Sequence, residues 1–421
     1  IVRSDSSLMG LAYSAEHAVE TLLSGPAASA LGGSALTGLD NAVVVDIGGT
    51  TTDVALIENS APLLADGGIR VGQWKTLVKG LFSTSFALGG DSAIRWDKDG
   101  ALTLGPDRII PLCVLAEQYP AILPAHTLPL HEFLTLGRAD WHHLPIGESN
   151  RRLCRALEKG PLSLQQAADA VGVDKYLLHT GLLEKAGVIL RAGLTPTDVM
   201  HVRGDYTRYD REAAQLAVQF AANSLRMLPE EFCDRIYDDV SREVFYGVSQ
   251  LLLEHSSPYF RRHGLDDGMR ELLRLQWENR HTGGDGLLHY AFRAPAALVG
   301  IGGPVHLFLP EAAKALGAEC IIPDCAPTAN AVGAVTGRMS ASAEAEVRPH
   351  GLSPDDSVQG DWEVLCDGQP PRYFADEAEA AAWAEARLRE RTEKSLRAQG
   401  ATGELSFVSR VNDMTADILV G

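Results

Sequence analysis

The sequence predicts an α/β protein, and three stretches carry that prediction. Residues 43–57, VVVDIGGTTTDVALI, run β-branched and aliphatic residues into and out of a Gly-Gly-Thr-Thr-Thr turn, the pattern of two adjoining strands. Residues 297–337, ALVGIGGPVHLFLPEAAKALGAECIIPDCAPTANAVGAVTG, read as strand, glycine-rich turn, helix, strand, loop and helix, the order of a βαβ unit. Between them, residues 151–190 place apolar residues at helical spacing around a break at Gly172, in the manner of a helix-turn-helix.

Composition sets the outer limits. A chain of 421 residues, 45% hydrophobic and 22% charged, is long enough for two or three cores and is neither fibrous nor disordered. The formal net charge of −18 opposes nonspecific binding to nucleic acid or an anionic membrane, because the long-range field repels a polyanion before local contacts form. A nucleotide is still admissible through backbone donors and a divalent cation. The six cysteines form no CxxC pair, so neither a zinc site nor a disulfide framework is indicated, and reduced thiols in a cytoplasmic protein are expected. No apolar run approaches the roughly 20 residues of a membrane span. The chain opens at Ile1 without a methionine and ends at Gly421, which reads as a piece of a longer protein.

In order along the chain, residues 15–23 read as a turn or two of helix, and SGPAASALGGSAL after them as a helix whose small residues let another backbone approach. After the strand pair at 43–57, apolar pieces at residues 69–71, 93–96 and 101–104, with a turn at 98–100, are expected to continue one sheet. The expected organisation is a hinge with remnants of another lobe at 1–40, a β-rich unit at 41–116, a winged-helix-like insertion at 117–209, a helical and βαβ unit at 210–345, and a small α+β appendage at 346–421. Within the insertion, Ser163 caps a helix ahead of Gln165 and Gln166, and the second helix, DKYLLHTGLLEK, ends near Gly187. That second helix is not basic, so a packing unit is favoured over a DNA reader. Residues 210–254 read as two amphipathic helices, the second opened by Pro229, and residues 377–399 as an Ala-, Glu- and Arg-rich helix.

The chemistry lies in the glycines. Gly48 and Gly49 allow backbone conformations closed to other residues and remove the side chains that would keep a phosphate from main-chain N–H groups, with hydroxyls from Thr50, Thr51 and Thr52 beside them. Asp46, at the strand end, reads as a magnesium partner, the cation bridging acid and phosphate, and Asp53 either does the same or fixes the turn. For a bare DxGG, an ordinary hairpin is the better reading. GIGGP at residues 300–304, between a strand and a helix, adds backbone donors at a helix N-terminus, and the pair of loops is more specific than either alone. It is not a dinucleotide fingerprint, because Val305 and His306 stand where a later glycine belongs. His126, His131, His142, His143, His201, His281 and His289 invite a metal reading, but adjacent histidines point their rings apart; His201 is the one to watch, and a core role is favoured even there.

These motifs resemble a known family. DIGGTTTD is similar to the second phosphate motif, and GIGGP to the adenosine motif, of the actin, sugar-kinase and heat-shock-chaperone ATPases. VETLLSGPAASALGG, ALGGDS at 87–92, GALTLGP at 100–106, LTPTDVMHVRGDY at 194–206 and NAVGAV at 330–335 resemble, in that order, the hydantoinase/oxoprolinase family in its hydantoinase A subunit. The resemblance implies an actin-like (ribonuclease H-like) ATPase lobe with a winged-helix-like insertion and an α+β appendage. It implies ATP-dependent opening of a cyclic amide such as a hydantoin or 5-oxoproline, with ATP and Mg2+ as cofactors and a second hydantoinase subunit as a possible partner; some relatives carboxylate ketones instead. Carried across, Asp46 would serve magnesium, with Asp53 beside it; Gly48, Gly49, Thr50 and Thr51 would hold phosphate; Gly89, Gly90 and Asp91 would approach the nucleotide; and Gly302 and Gly303 would flank adenosine. The family also has a first lobe with its own phosphate loop, which this chain does not repeat, so weak ATP binding and little turnover by this chain alone are expected. A nucleotide-responsive activator acting on a protein partner is the alternative.

Overall fold

In the computed structural model, the described residues are 1–65, 67–71, 74–127, 132–282, 290–350, 362–366 and 368–412. The strand Ala42–Ile47 is the axis of a six-stranded sheet. It pairs in parallel with Ala297–Ile301 on one side and antiparallel with Thr52–Glu58 on the other. Cys320–Ile321 extends the parallel side; Ala61–Pro62 and Ser83–Phe86 both pair with Thr52–Glu58. Buried on both faces, the axial strand reads as a near-continuous apolar run rather than an alternating one. Val43, Val45 and Ile47 enter a core shared with the helices Arg211–Leu225, Pro229–Ser256 and Val305–Leu316, whereas Ala42 and Val44 enter a second core under the helix Ser24–Thr37.

On that second face, Ser24–Thr37 crosses Ala329–Thr336 at backbone contact. A Cβ on Gly32 would lie 1.9 Å from the Ala329 carbonyl oxygen, and one on Gly333 would lie 1.9 Å from that of Ala28. The small residues of SGPAASALGGSAL therefore serve the close helix approach expected of them. The helices Arg211–Leu225, capped by the Asp210 carboxylate, and Pro229–Ser256, opened by Pro229, also stand where expected. So does the C-terminal helix Glu377–Ala398, which packs on a three-stranded sheet through Val364, Phe374, Ala380 and Ala384.

Four expectations are corrected. The helical signal near residues 15–23 resolves into Leu11–Glu16, a break at His17, and a single-turn 3-10 segment, Ala18–Thr21. The apolar pieces after residue 60 do not join the main sheet: Ser92–Trp96 and Leu102–Arg108 do pair across the expected turn at 98–100 but as a separate hairpin, and among the described residues Arg70–Val71 pairs with Trp74–Lys75 alone. The hairpin turns away because its ladder is irregular between Ser92 and Ile94, and Ile94 N–H donates to the Leu194 carbonyl instead.

In the insertion, Ser163 and Gln166 form the expected capping box and Gly172 ends that helix in the left-handed conformation. The second helix is much shorter than DKYLLHTGLLEK. The Asp174 carboxylate accepts from Tyr176 N–H and starts a 3-10 turn, Lys175–Leu177, so the α-helix begins only at Gly181 and ends at Lys185. Nor does a wing follow it, because Ile189–Gly193 pairs with Phe133–Leu136 on one side and Ile110–Pro111 on the other. The insertion holds its own core around Leu134, Trp141, Leu153, Leu183 and Ile189, while Leu194, Val199 and Met200 already belong to the main core. Among the described residues, no helix is long and apolar enough to cross a membrane.

Candidate nucleotide site

The turn after Ala42–Ile47 is both a hairpin and an open cradle. Gly48 N–H donates to the Thr51 carbonyl at 3.0 Å, which closes the turn. The N–H groups of Gly49 and Thr50 have no protein acceptor among the described residues, and both residues are exposed. Neither Gly48 nor Gly49 has a positive φ, so the conformational freedom that glycine allows is not used at this turn. What Gly49 supplies is room, since a Cβ there would lie 3.2 Å from Asp91 Oδ2. The three threonines differ as well. Thr52 Oγ1 is buried and donates to the Leu88 carbonyl at 2.8 Å, Thr51 Oγ1 faces Asp53 at 3.2 Å, and only Thr50 is free toward solvent.

The ALGGDS loop lies directly on this turn. Gly90 N–H donates to the Gly48 carbonyl at 3.1 Å and Asp91 N–H to that of Gly49 at 2.7 Å. The strictest demand for glycine falls on Gly89, where a Cβ would sit 2.5 Å from the Gly49 carbonyl carbon. Underneath, the helix Pro196–Arg203 locks the loop: Thr197 N–H and Oγ1–H both donate to the Gly90 carbonyl, at 2.9 and 2.8 Å. That helix is held by the fully buried Asp198, which caps it through Thr195 and accepts from Cys113 N–H at 2.8 Å. Burial raises the Asp198 carboxyl pKa, and these donors oppose it.

GIGGP completes the arrangement. Gly302 has φ +92°, and a Cβ there would lie 2.3 Å from the Ile47 carbonyl oxygen and 2.7 Å from Asp46 Oδ1. Gly302 N–H is held by the Ala326 carbonyl, whereas Gly303 faces open space with its own N–H unpaired among the described residues. Gly48, Gly49, Gly90, Asp91, Gly303 and Pro304 line one cavity of about 810 Å³, large enough for a nucleotide, whose other walls carry Arg108, Arg191, Tyr206, Tyr209 and His306. A smaller hollow of about 280 Å³ in the insertion, between residues 135–139 and 157–160, contains none of these loops.

Asp46 and Asp53 are cross-strand partners at the base of the turn, on the face of the sheet toward Ser24–Thr37. Ser29 Oγ–H donates to Asp46 Oδ2 at 2.5 Å. Burial raises both pKa values; Ser29 opposes it at Asp46, where the charge of Asp53 adds to it, and the hydroxyls of Ser85 and Thr51 oppose it at Asp53. No basic side chain pairs with either among the described residues. Neither carboxylate lines the cavity; as two neighbouring carboxylates without a counter-cation among the described residues, they have the donor chemistry that a magnesium ion takes.

Of the seven candidate histidines, those described do not line the cavity. His201 is a core residue with both ring nitrogens used, Nδ1 at 2.7 Å from the Thr197 carbonyl and Nε2 accepting from Tyr209 N–H at 3.0 Å. His142 lies against Trp141 and Glu158, and His281 near Glu311. His131 and His289 fall outside the described residues, as does the side chain of His126. Among the described residues, no three His, Cys, Asp or Glu side chains gather as a metal-ligand set. Sequence reading missed Arg108, Thr197, Tyr206 and Tyr209. LTPTDVMHVRGDY pointed to Thr197 and Tyr206 as a segment, but no spacing rule connects Thr197 with Gly90.

Fold and site together define an α/β protein in which three glycine-rich strand-end loops meet around one nucleotide-sized cavity. Residues 1–109, which contain the first two of those loops, match the model of the hydantoinase/oxoprolinase family. No curated protein matches the chain. Among solved structures, nucleotide-free acetone carboxylase, from a study of ATP-dependent acetone carboxylation, is 16% identical with a TM-score of 0.47 over 91% of this chain and 39% of its own. An ATP-dependent caprolactamase from Pseudomonas jessenii is 19% identical with a TM-score of 0.46 over 92% of this chain and 40% of its own. The chain thus spans about two fifths of the length of either structure.

Proposed function

We propose that this chain forms the nucleotide-holding part of an ATP-dependent enzyme of the hydantoinase/oxoprolinase type, acting on a cyclic amide such as a hydantoin or 5-oxoproline. The observation that carries the reading is the mutual locking of DIGGTTTD, ALGGDS and GIGGP around one cavity, with Gly49, Thr50 and Gly303 N–H groups left without protein acceptors among the described residues. An ordinary hairpin has no need of two further glycine loops pressed against it. In this reading the fold is an actin-like lobe, the segment around residues 133–193 is its helical insertion, and the unpaired cysteines fit a cytoplasmic setting.

Gly48, Gly49, Thr50 and Thr51 surround the phosphates, and Gly89 fixes the loop that carries Gly90 and Asp91 above them. Gly302 and Gly303 let the ribose and base lie against the start of Val305–Leu316. Asp46 and Asp53 would hold Mg2+, whose charge would screen their mutual repulsion. ATP would supply a phosphoryl group to the amide oxygen as ADP leaves, so that water attacking the ring carbon can expel phosphate, and the chain's part is to position the nucleotide for that transfer. A second subunit of the hydantoinase type is the partner this reading expects.

The test is ATP hydrolysis measured with and without hydantoin or 5-oxoproline, on this chain and with the rest of its parent protein. Substrate-stimulated hydrolysis lost in Gly302→Ala supports the reading. Stimulation by a protein partner and by no cyclic amide would replace it with a nucleotide-responsive activator.

A further inference from the structure

Two arginines line the cavity, and they are bonded very differently. Arg191 is saturated: Nη1 meets Glu132 at 2.6 Å, Nη2 meets Glu184 at 2.8 Å and Thr180 at 3.1 Å, and Nε meets Glu184 at 3.0 Å. Its side chain is only 18% exposed, and it ties the insertion together. Arg108 has a single side-chain contact among the described residues, a long one of 3.4 Å from Nη2 to Asp91 Oδ2, and is 65% exposed. Most of its five N–H donors are therefore uncommitted, at the wall of a cavity built from phosphate-binding turns.

The position of Arg108 is nevertheless fixed at its base. Arg108 is the strand partner of Ser92, and Ile109 N–H donates to the Asp91 carbonyl at 3.0 Å, so its backbone is tied to the ALGGDS loop. Its one partner among the described residues, the Asp91 carboxylate, lies against Gly49, which lines the cavity with Gly48. A carboxylate at that point repels a phosphate, and a guanidinium beside it offsets the repulsion. A single long contact is easily exchanged, and a phosphate oxygen offers the bidentate geometry that Asp91 does not use here.

We propose that Arg108 reads the terminal phosphate of the nucleotide, leaving Asp91 for the γ-phosphate and so distinguishing a nucleoside triphosphate from the diphosphate. The proposal rests on the cavity being the nucleotide site. The terminal phosphate is the group assigned because Arg108 is tied, through Asp91, to the phosphate turn and not to the Gly303–Pro304 edge, where the base would lie. The exchange moves a charge-assisted hydrogen bond and breaks no covalent bond.

The experiment compares Kd for a non-hydrolysable ATP analogue and for ADP, both with Mg2+, in the wild-type protein, Arg108→Gln and Arg108→Lys. Arg108→Gln is expected to weaken the triphosphate about ten- to a hundredfold and ADP by less than about threefold, with Arg108→Lys between wild type and Gln for the triphosphate. Thermal melting of the variants should stay near wild type, because so exposed a pair contributes little to stability. Equal weakening of both nucleotides, or unchanged triphosphate affinity in Arg108→Gln, overturns the assignment while leaving the nucleotide site intact. No saturable binding of either nucleotide to the wild-type protein overturns the nucleotide site and the assignment together.

Discussion

Gly89→Ala is the substitution with the most closely defined consequence. Its Cβ would meet the Gly49 carbonyl carbon at 2.5 Å and the carbonyl oxygens of Gly48 and Gly49 at 2.6 Å, and all three atoms are backbone. No side chain can swing aside, so the two loops must part by about 1 Å to reach ordinary contact. Such a separation stretches the Gly90–Gly48 and Asp91–Gly49 hydrogen bonds, now 3.1 and 2.7 Å, beyond useful length. Overpacking costs about 1–3 kcal/mol, and each lost hydrogen bond adds about 0.5–1.5 kcal/mol. A loss of about 2–6 kcal/mol is expected, visible as a fall of several degrees or more in the melting transition. The control is Gly303→Ala, where an added Cβ meets nothing within 4 Å. That variant should melt like wild type yet bind nucleotide less well, because the new methyl group enters the cavity wall. Differential scanning calorimetry with an ATP titration separates the two effects. If Gly89→Ala melts with the wild type, the loops are not locked as described and the reasoning fails.

Three further substitutions probe the supports around the loops. Burial raises the Asp53 pKa, so its ionisation costs stability as pH climbs from the ordinary carboxylate value of 3.8 through the native value. Asp53→Asn should therefore melt higher than wild type at pH 7 and lose that advantage below about pH 3.8; a lower melting temperature at pH 7 without added metal would contradict the assignment. Thr197→Val removes the hydroxyl bond to the Gly90 carbonyl but keeps shape and the backbone bond, so it should cost about 1 kcal/mol in chemical denaturation and weaken nucleotide binding as the loop loosens. Gly333→Ala puts a methyl group 1.9 Å from the Ala28 carbonyl oxygen across two crossing helices, and should cost about 3 kcal/mol or more, read as loss of soluble protein or of the cooperative transition.

What could be read in the sequence followed local rules. The strands flanking DIGGTTTD and GIGGP, the Ser163 cap, the Pro229 helix start and the close helix at SGPAASALGG each express a preference contained within a few residues. The errors arose where a distant partner, or a competing side-chain bond to the backbone, decides the outcome. Ser92–Trp96 looked like another strand of the main sheet, but Ile94 N–H is drawn to Leu194. Residues 174–185 have a helical pattern, yet the Asp174 side chain competes for the backbone and a 3-10 turn wins. The same limit applies at the site. Gly48 and Gly49 drew attention through their motif, but the closeness of Gly89 to their backbone, 2.5 Å from a Cβ there to the Gly49 carbonyl carbon, comes from a loop about 40 residues further along the chain. Thr197, which locks that loop, and Arg108, beside Asp91, become visible only once the fold has joined them to it.

The central claim is that the three glycine loops form one ATP site, and equilibrium binding of MgATP to wild-type protein and to Gly302→Ala tests it most directly. Gly302 takes φ +92° with the Ile47 carbonyl oxygen 2.3 Å from where a Cβ would stand, so alanine there must push GIGGP away from DIGGTTTD. Saturable binding by the wild type that falls at least about tenfold in Gly302→Ala is the predicted result. Absence of binding by the wild type, or equal affinity in the variant, would contradict the claim.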